Sequence, residues 1–225
     1  MNDAAFPETT SQVLIVDDHP ILRHGIAQLI TRETDFAVCG EAGGHDEALQ
    51  LLARHAVDLM LVDLSLEGPS GLDLIRAVRE RRPGVRCLVL SMHDERLHAE
   101  RALRAGARGY LMKQEATRKI VTALRQVRDG RIYLSDTIAS ELLERMASGA
   151  PSAVDDLHGL SHRELEVLQL IGQGLKTGEI AKALHRSVHT VEAHRASIKR
   201  KLNLKTSGEL AKAAFALTAQ LTHGA

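Results

Sequence analysis

The chain has 225 residues, a formal net charge of zero, two cysteines, no tryptophan and 2% aromatic residues. That length holds one or two globular cores, no apolar run approaches the roughly 20 residues of a membrane span, and Asp3 and Glu8 stand where a signal peptide would be basic and then apolar, so a cytoplasmic protein without membrane partners is expected. Neutrality conceals an asymmetry, because 19 Lys and Arg oppose 24 Asp and Glu through residue 156 while 10 oppose 5 beyond it, which points to an acidic module joined to one that meets a polyanion.

Five short apolar runs, 12–17, 36–41, 57–63, 86–91 and 109–112, read as strands. After each comes apolar spacing of helical period, over 21–31, 46–55, 72–82, 96–105 and 116–128. Such alternation with right-handed crossovers predicts a doubly wound α/β domain on a five-stranded parallel sheet. Cys39 and Cys87 fall inside predicted strands without metal-ligand spacing and read as buried thiols, not a disulfide. A sixth helix is predicted over 132–146, then a small-residue linker from Ala147 to Ala153. Beyond it Ser161 and Glu164 form a capping box ahead of Leu165, Val167, Leu168 and Ile171. Three further helices over 177–184, 188–202 and 207–221 complete a small all-α unit. The chain thus divides into an α/β domain at 1–130, a linker helix and flexible linker at 131–158, and a helical domain at 159–225.

Charged residues sit at the strand ends. Asp17 and Asp18 close the first strand, Asp63 the third, Ser91 the fourth, and Lys113 follows the fifth. In open α/β sheets those ends converge on one ligand-binding crevice. An aspartate there attacks phosphorus to form an acyl phosphate when a divalent cation screens its charge, and Asp17, Asp18 and Asp63 offer the hard oxygens that Mg²⁺ prefers. Lys113 pairs with Asp63 when the site is empty and with a phosphoryl oxygen when it is filled, and Ser91 donates a hydroxyl to the same group. Singly these residues are helix caps or solvated charges; their conjunction makes the signal. His19 reads as opening the loop into the first helix, not as a proton carrier or zinc ligand.

The runs Val16-Asp17-Asp18-His19-Pro20, Asp63-Leu64-Ser65-Leu66 with Gly71-Leu72, Ser91-Met92-His93-Asp94 and Gly106-Ala107-Arg108-Gly109-Tyr110-Leu111-Met112-Lys113 resemble a response-regulator receiver domain over about 12–129. The resemblance implies a flavodoxin-like sheet of order 2-1-3-4-5. It also implies a phosphoryl group accepted by Asp63 from a sensor histidine kinase or small donor, Mg²⁺ held by Asp17 and Asp18, and a Ser91–Tyr110 switch whose ring turns inward as the hydroxyl moves toward the phosphoryl group. One departure is Glu67, four residues after the acceptor, where the family often carries proline. Ser65 and His93 lie two residues beyond Asp63 and Ser91, where they can affect the lifetime of the acyl phosphate.

In the basic tail, the helix over 188–202 turns Val191, Ile198 and Leu202 inward, with His194 and Arg195 flanking them. Its other side presents His189, Glu192, Ala193, Ala196, Ser197 and Arg200, with Lys199 at the edge. Small residues let that face approach base edges, Glu192 can accept from a cytosine amino group, and Arg200 can reach guanine or phosphate. Together with Leu160-Ser161-His162-Arg163-Glu164-Leu165, Glu179-Ile180-Ala181 and Thr190-Val191-Glu192-Ala193-His194-Arg195, this region resembles a LuxR-type helix-turn-helix, and the whole chain a NarL/FixJ-type response regulator. The resemblance implies DNA contacts from His189, Thr190, Glu192, Ala193, Arg195, Ser197, Lys199 and Arg200, with homodimerisation on paired half-sites upon phosphorylation. Leu210, Ala213, Ala214, Leu217 and Leu221 of the last helix either form the dimer face or close the domain core. Two further departures are Lys176 at a cap position often held by serine, which shifts the expected cap to Thr177, and Arg186 at a commonly aliphatic position. Arg186 is expected to cover the core with its stem and reach phosphate with its guanidinium.

The expected function is a phosphorylation-controlled transcriptional regulator, not an enzyme beyond taking part in its own phosphorylation and dephosphorylation. Two rivals are a signalling adaptor whose tail binds protein, and an aspartyl-phosphate phosphohydrolase. The second typically has another Asp two residues after the nucleophile, where this chain has Ser65.

Overall fold

The computed structural model describes residues 10–148, 159–184 and 186–222. The greater part of the predicted linker lies outside the described residues, as does the Leu221 side chain. Strands β1 (Ser11–Val16), β2 (Phe36–Ala42), β3 (Leu59–Val62), β4 (Arg86–Ser91) and β5 (Gly109–Met112) alternate with helices α1 (Pro20–Thr31), α2 (His45–Arg54), α3 (Gly71–Arg81), α4 (Glu95–Ala105) and α5 (Ala116–Arg128). The strands are parallel, in the order β2-β1-β3-β4-β5, as the sequence implied.

Period-two alternation sends side chains to both faces of this sheet. Leu14, Val16, Met60, Val62, Cys87, Val89 and Tyr110 pack with Ala48, Leu52, Leu72, Val78 and Ala102 on α2, α3 and α4. Val13, Ile15, Leu59, Leu61, Leu88, Leu90 and Leu111 pack with Ile26 and Ile30 of α1 and Ile120, Leu124 and Val127 of α5. Arg125 clamps Asp35 with two hydrogen bonds of 2.9 and 3.0 Å, tying the end of α5 to the start of β2. Both cysteines are free thiols, and burial pushes Cys87 up to about 12.

The sixth helix differs from expectation. α6 begins at Asp136 and runs Asp136–Ser148, because residues before it lie along the open edge of β5. Tyr110 N donates to Tyr133 O at 2.9 Å and Tyr133 N donates to Arg108 O at 3.0 Å. Pairing of this kind covers backbone groups that an edge strand would leave exposed. α6 then docks on α4 through buried Ile138 and an Arg145–Glu100 ion pair at 3.5 Å. The chain separates into two compact units, Met1–Gly149 and Ala150–Ala225, so this helix goes with the sheet.

The second unit contains α7 (His162–Gly172), α8 (Thr177–Ala183), α9 (Val188–Lys201) and α10 (Ser207–Thr222). Leu165, Leu168, Ile171, Ile180, Val191, Ile198, Leu210, Ala214 and Leu217 are among its buried apolar residues. Leu210, Ala214 and Leu217 therefore close the core, and among the described side chains of α10 Phe215 is a large apolar residue left exposed. A Cβ at Gly172 would overlap the Ala214 carbonyl and the Thr218 hydroxyl, so α7 and α10 meet where one helix has no side chain. Gly172→Ala should destabilise the protein by about 1–3 kcal/mol through overpacking, measurable as a lower urea midpoint with the α/β unit's fold retained.

Candidate functional site

β1 and β3 are adjacent, with Val16 paired to Val62, so the residues that follow them, Asp17 and Asp63, emerge side by side. Asp63 N donates to Val16 O at 2.9 Å, which holds the two strand ends together. Lys113 begins a single 3-10 turn, Lys113–Glu115, directly after β5. Its Nζ lies 2.7 Å from Asp17 Oδ2 and donates to Asp63 Oδ2 at 2.8 Å. All three side chains are buried. The other Asp63 oxygen, Oδ1, accepts from Ser65 N at 3.1 Å. Gly71 makes this arrangement possible, since a Cβ there would overlap the Asp63 carbonyl oxygen and Leu64 Cα.

Burial pushes the Asp63 carboxyl up, Lys113 opposes this and Asp17 reinforces it; the net direction is upward. Burial works against the Lys113 ammonium, but the Asp63 and Asp17 carboxylates outweigh it and its pKa is raised. Both directions express one fact: two buried carboxylates share one cation, with a third carboxylate, Asp18, beside them. The donor set suits a divalent cation. Asp17, Asp18, His19 and Asp63 each offer one ligand atom within 4.8 Å of the others. Asp17 Oδ2, although beside Lys113, and Asp18 Oδ1, although 2.8 Å from His19 Nδ1, are buried without a directed hydrogen bond. Hard carboxylate oxygens, two of them lacking such bonds, fit Mg²⁺; the exposed imidazole of His19 is the poorest of the four ligands for it.

Ser91 is buried at the end of β4, where its Oγ accepts from His93 N at 3.2 Å. Tyr110 is also buried, its hydroxyl donating to His93 O at 2.9 Å, and burial pushes its phenol pKa up. The ring is thus already inside in this structure. Ser65 Oγ and His93 Nε2 lie 2.7 Å apart and tie the loop after β3 to the loop after β4 across the crevice. Their spacing in the sequence marked the two residues separately; nothing in it showed the bond between them.

The second unit presents α9. Ser187 caps it, accepting from Thr190 N at 3.0 Å, and Val191 and Ile198 are buried beneath it. His189, Glu192, Ala193 and Arg200 are exposed, while Thr190, Ser197 and Lys199 are half-buried. Arg195 is also half-buried, its side chain 17% exposed and its Nε 3.7 Å from Glu192 Oε1. Arg186 is exposed. The far end of α9 is anchored by Lys201, whose Nζ donates to Glu164 Oε2 at 2.6 Å, the carboxylate that also accepts from Ser161 N. The capping box disclosed Glu164, but no sequence signal disclosed Lys201.

A parallel α/β domain with a cation-balanced aspartate at its strand ends, followed by a helix-turn-helix, defines the class of protein. Residues 13–125 match the response regulator receiver domain, and residues 158–214 match the bacterial regulatory proteins of the luxR family. The chain belongs to the response regulators that join these two domains. It is 36% identical over 201 residues to the nitrate/nitrite response regulator protein NarP of Escherichia coli, covering 89% of this chain and 93% of that one. It is 35% identical over 209 residues to the oxygen regulatory protein NreC of Staphylococcus carnosus, covering 91% and 96%. Among solved structures, RcsB of Salmonella enterica serovar Typhimurium bound to promoter rprA in the presence of phosphomimetic BeF3- is 28% identical, with a TM-score of 0.58, covering 91% of this chain and 98% of that one. Among the described residues no helix is long and apolar enough to cross a membrane.

Burial raises the Glu164 carboxyl, but Lys201, Ser197 and Ser161 hold it down to about 2, below its ordinary 4.5. A depressed folded-state value gives stability that is fully present above about pH 4.5 and lost as pH falls through about 2. Urea denaturation across pH should therefore find Glu164→Gln less stable than the wild type at pH 7, with the difference shrinking as pH approaches 2.

Proposed function

We propose that Asp63 is the phosphoacceptor, that Asp17, Asp18 and Asp63 hold Mg²⁺, and that phosphorylation drives dimerisation and operator binding through α9. The observation that carries this reading is the Lys113 ammonium held between Asp17 and Asp63 at 2.7 and 2.8 Å, in a chain whose second unit is a basic helix-turn-helix. Bound Mg²⁺ would screen the negative charge of Asp63 from that of the incoming phosphoryl group.

An Asp63 carboxylate oxygen forms a new O–P bond while the bond from phosphorus to the donor breaks, its electron pair leaving with the donor atom. The donor is a phosphohistidine of a sensor histidine kinase or a small phosphate ester or anhydride. Lys113 exchanges its Asp63 contact for a phosphoryl oxygen, and the Ser91 hydroxyl leaves His93 N to donate to another. Tyr110 is already buried, so the movement required of the switch is that of Ser91 and the β4–α4 loop. The chain catalyses no other reaction in this reading and works in the cytoplasm. His189, Thr190, Glu192, Ala193, Ser197, Lys199 and Arg200 of α9 form the DNA face, with Arg195 behind them. Support comes from the basic charge of the second unit and from the DNA-bound state of the RcsB relative. Because Leu210, Ala214 and Leu217 are used in the core, a second copy would pair through other residues of the chain.

Selection of genomic DNA fragments by the purified full-length chain, with Mg²⁺ and acetyl phosphate present or absent, tests the whole switch. Enrichment of one motif that needs the donor and disappears in Asp63→Asn is expected. Enrichment of no motif under either condition would overturn the reading. Asp17→Asn and Asp18→Asn should each slow phosphoryl incorporation and raise the Mg²⁺ concentration it requires, as followed by mobility of the phosphorylated band; unchanged Mg²⁺ dependence would remove the two residues from the cation site.

A further inference from the structure

Thr177, the first residue of α8, does not cap its helix. The cap position is Lys176, whose backbone N–H donates to Glu179 Oε2 at 2.7 Å; a lysine side chain has no acceptor with which to complete a reciprocal cap. The Thr177 hydroxyl points elsewhere, donating to Glu192 Oε1 on α9 at 2.8 Å. Arg195 Nε approaches the same oxygen at 3.7 Å. Glu192 Oε1 therefore accepts one hydrogen bond, from Thr177, with Arg195 at ion-pair distance, while among the described residues Oε2 makes no hydrogen bond and the side chain is 56% exposed.

A fixed carboxylate is an odd choice for this surface. Lys199 and Arg200 make the rest of the face attractive to phosphates, and Glu192 subtracts from that sequence-independent attraction. What a carboxylate adds is discrimination. In the major groove it accepts from the amino group of cytosine, whereas the O6 and N7 of guanine, the O4 of thymine and the N7 that adenine carries beside its own amino group are acceptors that repel it. Ala193 and Ala196 beside it are exposed and small, so the helix can come close enough for Glu192 to reach a base edge. A freely rotating glutamate would instead turn to solvent, since ordering such a long side chain costs rotamer entropy. A hydroxyl on the neighbouring helix that already orders the side chain removes much of that cost before DNA arrives.

We propose that Thr177 is a positioning residue that locks Glu192 to read a cytosine amino group, giving the operator a preferred C·G pair at one position of each half-site. The proposal rests on the DNA-binding reading above and adds to it a base preference and the residue responsible. The spacing of the two residues, 15 apart on different helices, hides the pair from any local motif.

The test is selection from a randomised duplex library at fixed salt, with Mg²⁺ and acetyl phosphate, by the full-length wild type, Thr177→Val, Thr177→Ser and Glu192→Gln, with melting temperatures recorded alongside. The wild type should favour C·G at one position by about tenfold over other pairs. Thr177→Val, which keeps shape and loses the hydroxyl, should flatten that position alone; Thr177→Ser should restore it. Glu192→Gln should move the same position toward adenine, the partner of a side-chain amide, and bind unrelated DNA more tightly. A Thr177→Val motif identical to that of the wild type would overturn the proposal, as would loss of preference at every position together with a lowered melting temperature, which would mark the bond as scaffold. A wild-type preference for adenine at the Glu192-dependent position would also overturn it. If the wild type itself enriches nothing, the DNA-binding reading has failed and the proposal with it; a wild-type motif that ignores Thr177 defeats the proposal alone.

Discussion

One buried lysine holds the receiver site together. Lys113 neutralises charge that Asp17 and Asp63 would otherwise carry in a region closed to water, and burying a carboxylate without such a partner is costly. Strand order makes the meeting possible. β1 and β3 are neighbours, so the two aspartates arrive together, but β5 lies beyond β4, and neighbouring strands stand about 4.8 Å apart. The long lysine stem crosses that gap, and the 3-10 turn after β5 starts it in the right direction. Gly71 contributes from below, letting α3 begin against the backbone of the residue whose side chain Lys113 holds.

The same arrangement leaves a charge imbalance. One ammonium faces three carboxylates, so the site is left short of positive charge, and two buried carboxylate oxygens lack directed hydrogen bonds. A site short of positive charge is suited to a divalent cation and, with it, to a dianionic phosphoryl group. The crevice is bordered by two loops joined through Ser65 and His93, and the second of these loops also receives the Tyr110 hydroxyl. A change of charge at Asp63 therefore acts on groups that already touch the β4–α4 loop, a short path from a local event to a surface.

The second unit solves a different problem. Most of α9 is polar and open, so the helix keeps only Val191 and Ile198 fully buried and relies on its ends for placement. Ser187 secures the beginning, and Lys201 secures the far end on the Glu164 carboxylate of α7. α7 is in turn fixed on α10 by the close approach at Gly172. The fold thereby spends its apolar surface on orientation and leaves the exposed side to polar and small residues.

Much of this was legible in the residues alone. Alternation of apolar runs with helical spacing determined the sheet and its helices, because burial on both faces demands continuous apolar strands. Asp17, Asp18, Asp63, Ser91 and Lys113 identified themselves by standing at strand ends, and Ser161 with Glu164 announced the start of α7. Tertiary structure alone decided the rest, since it depends on which distant atoms share space. The segment ahead of α6 pairs with β5 where helical periodicity predicted helix, Tyr110 sits inside, Leu210 and Leu217 are core, and Thr177 reaches Glu192 where cap rules had placed it on its own helix. Local sequence carries periodicity and caps, which are properties of neighbours along the chain; a glycine's close approach or a hydrogen bond between two helices is a property of packing, and exists only once the chain has folded.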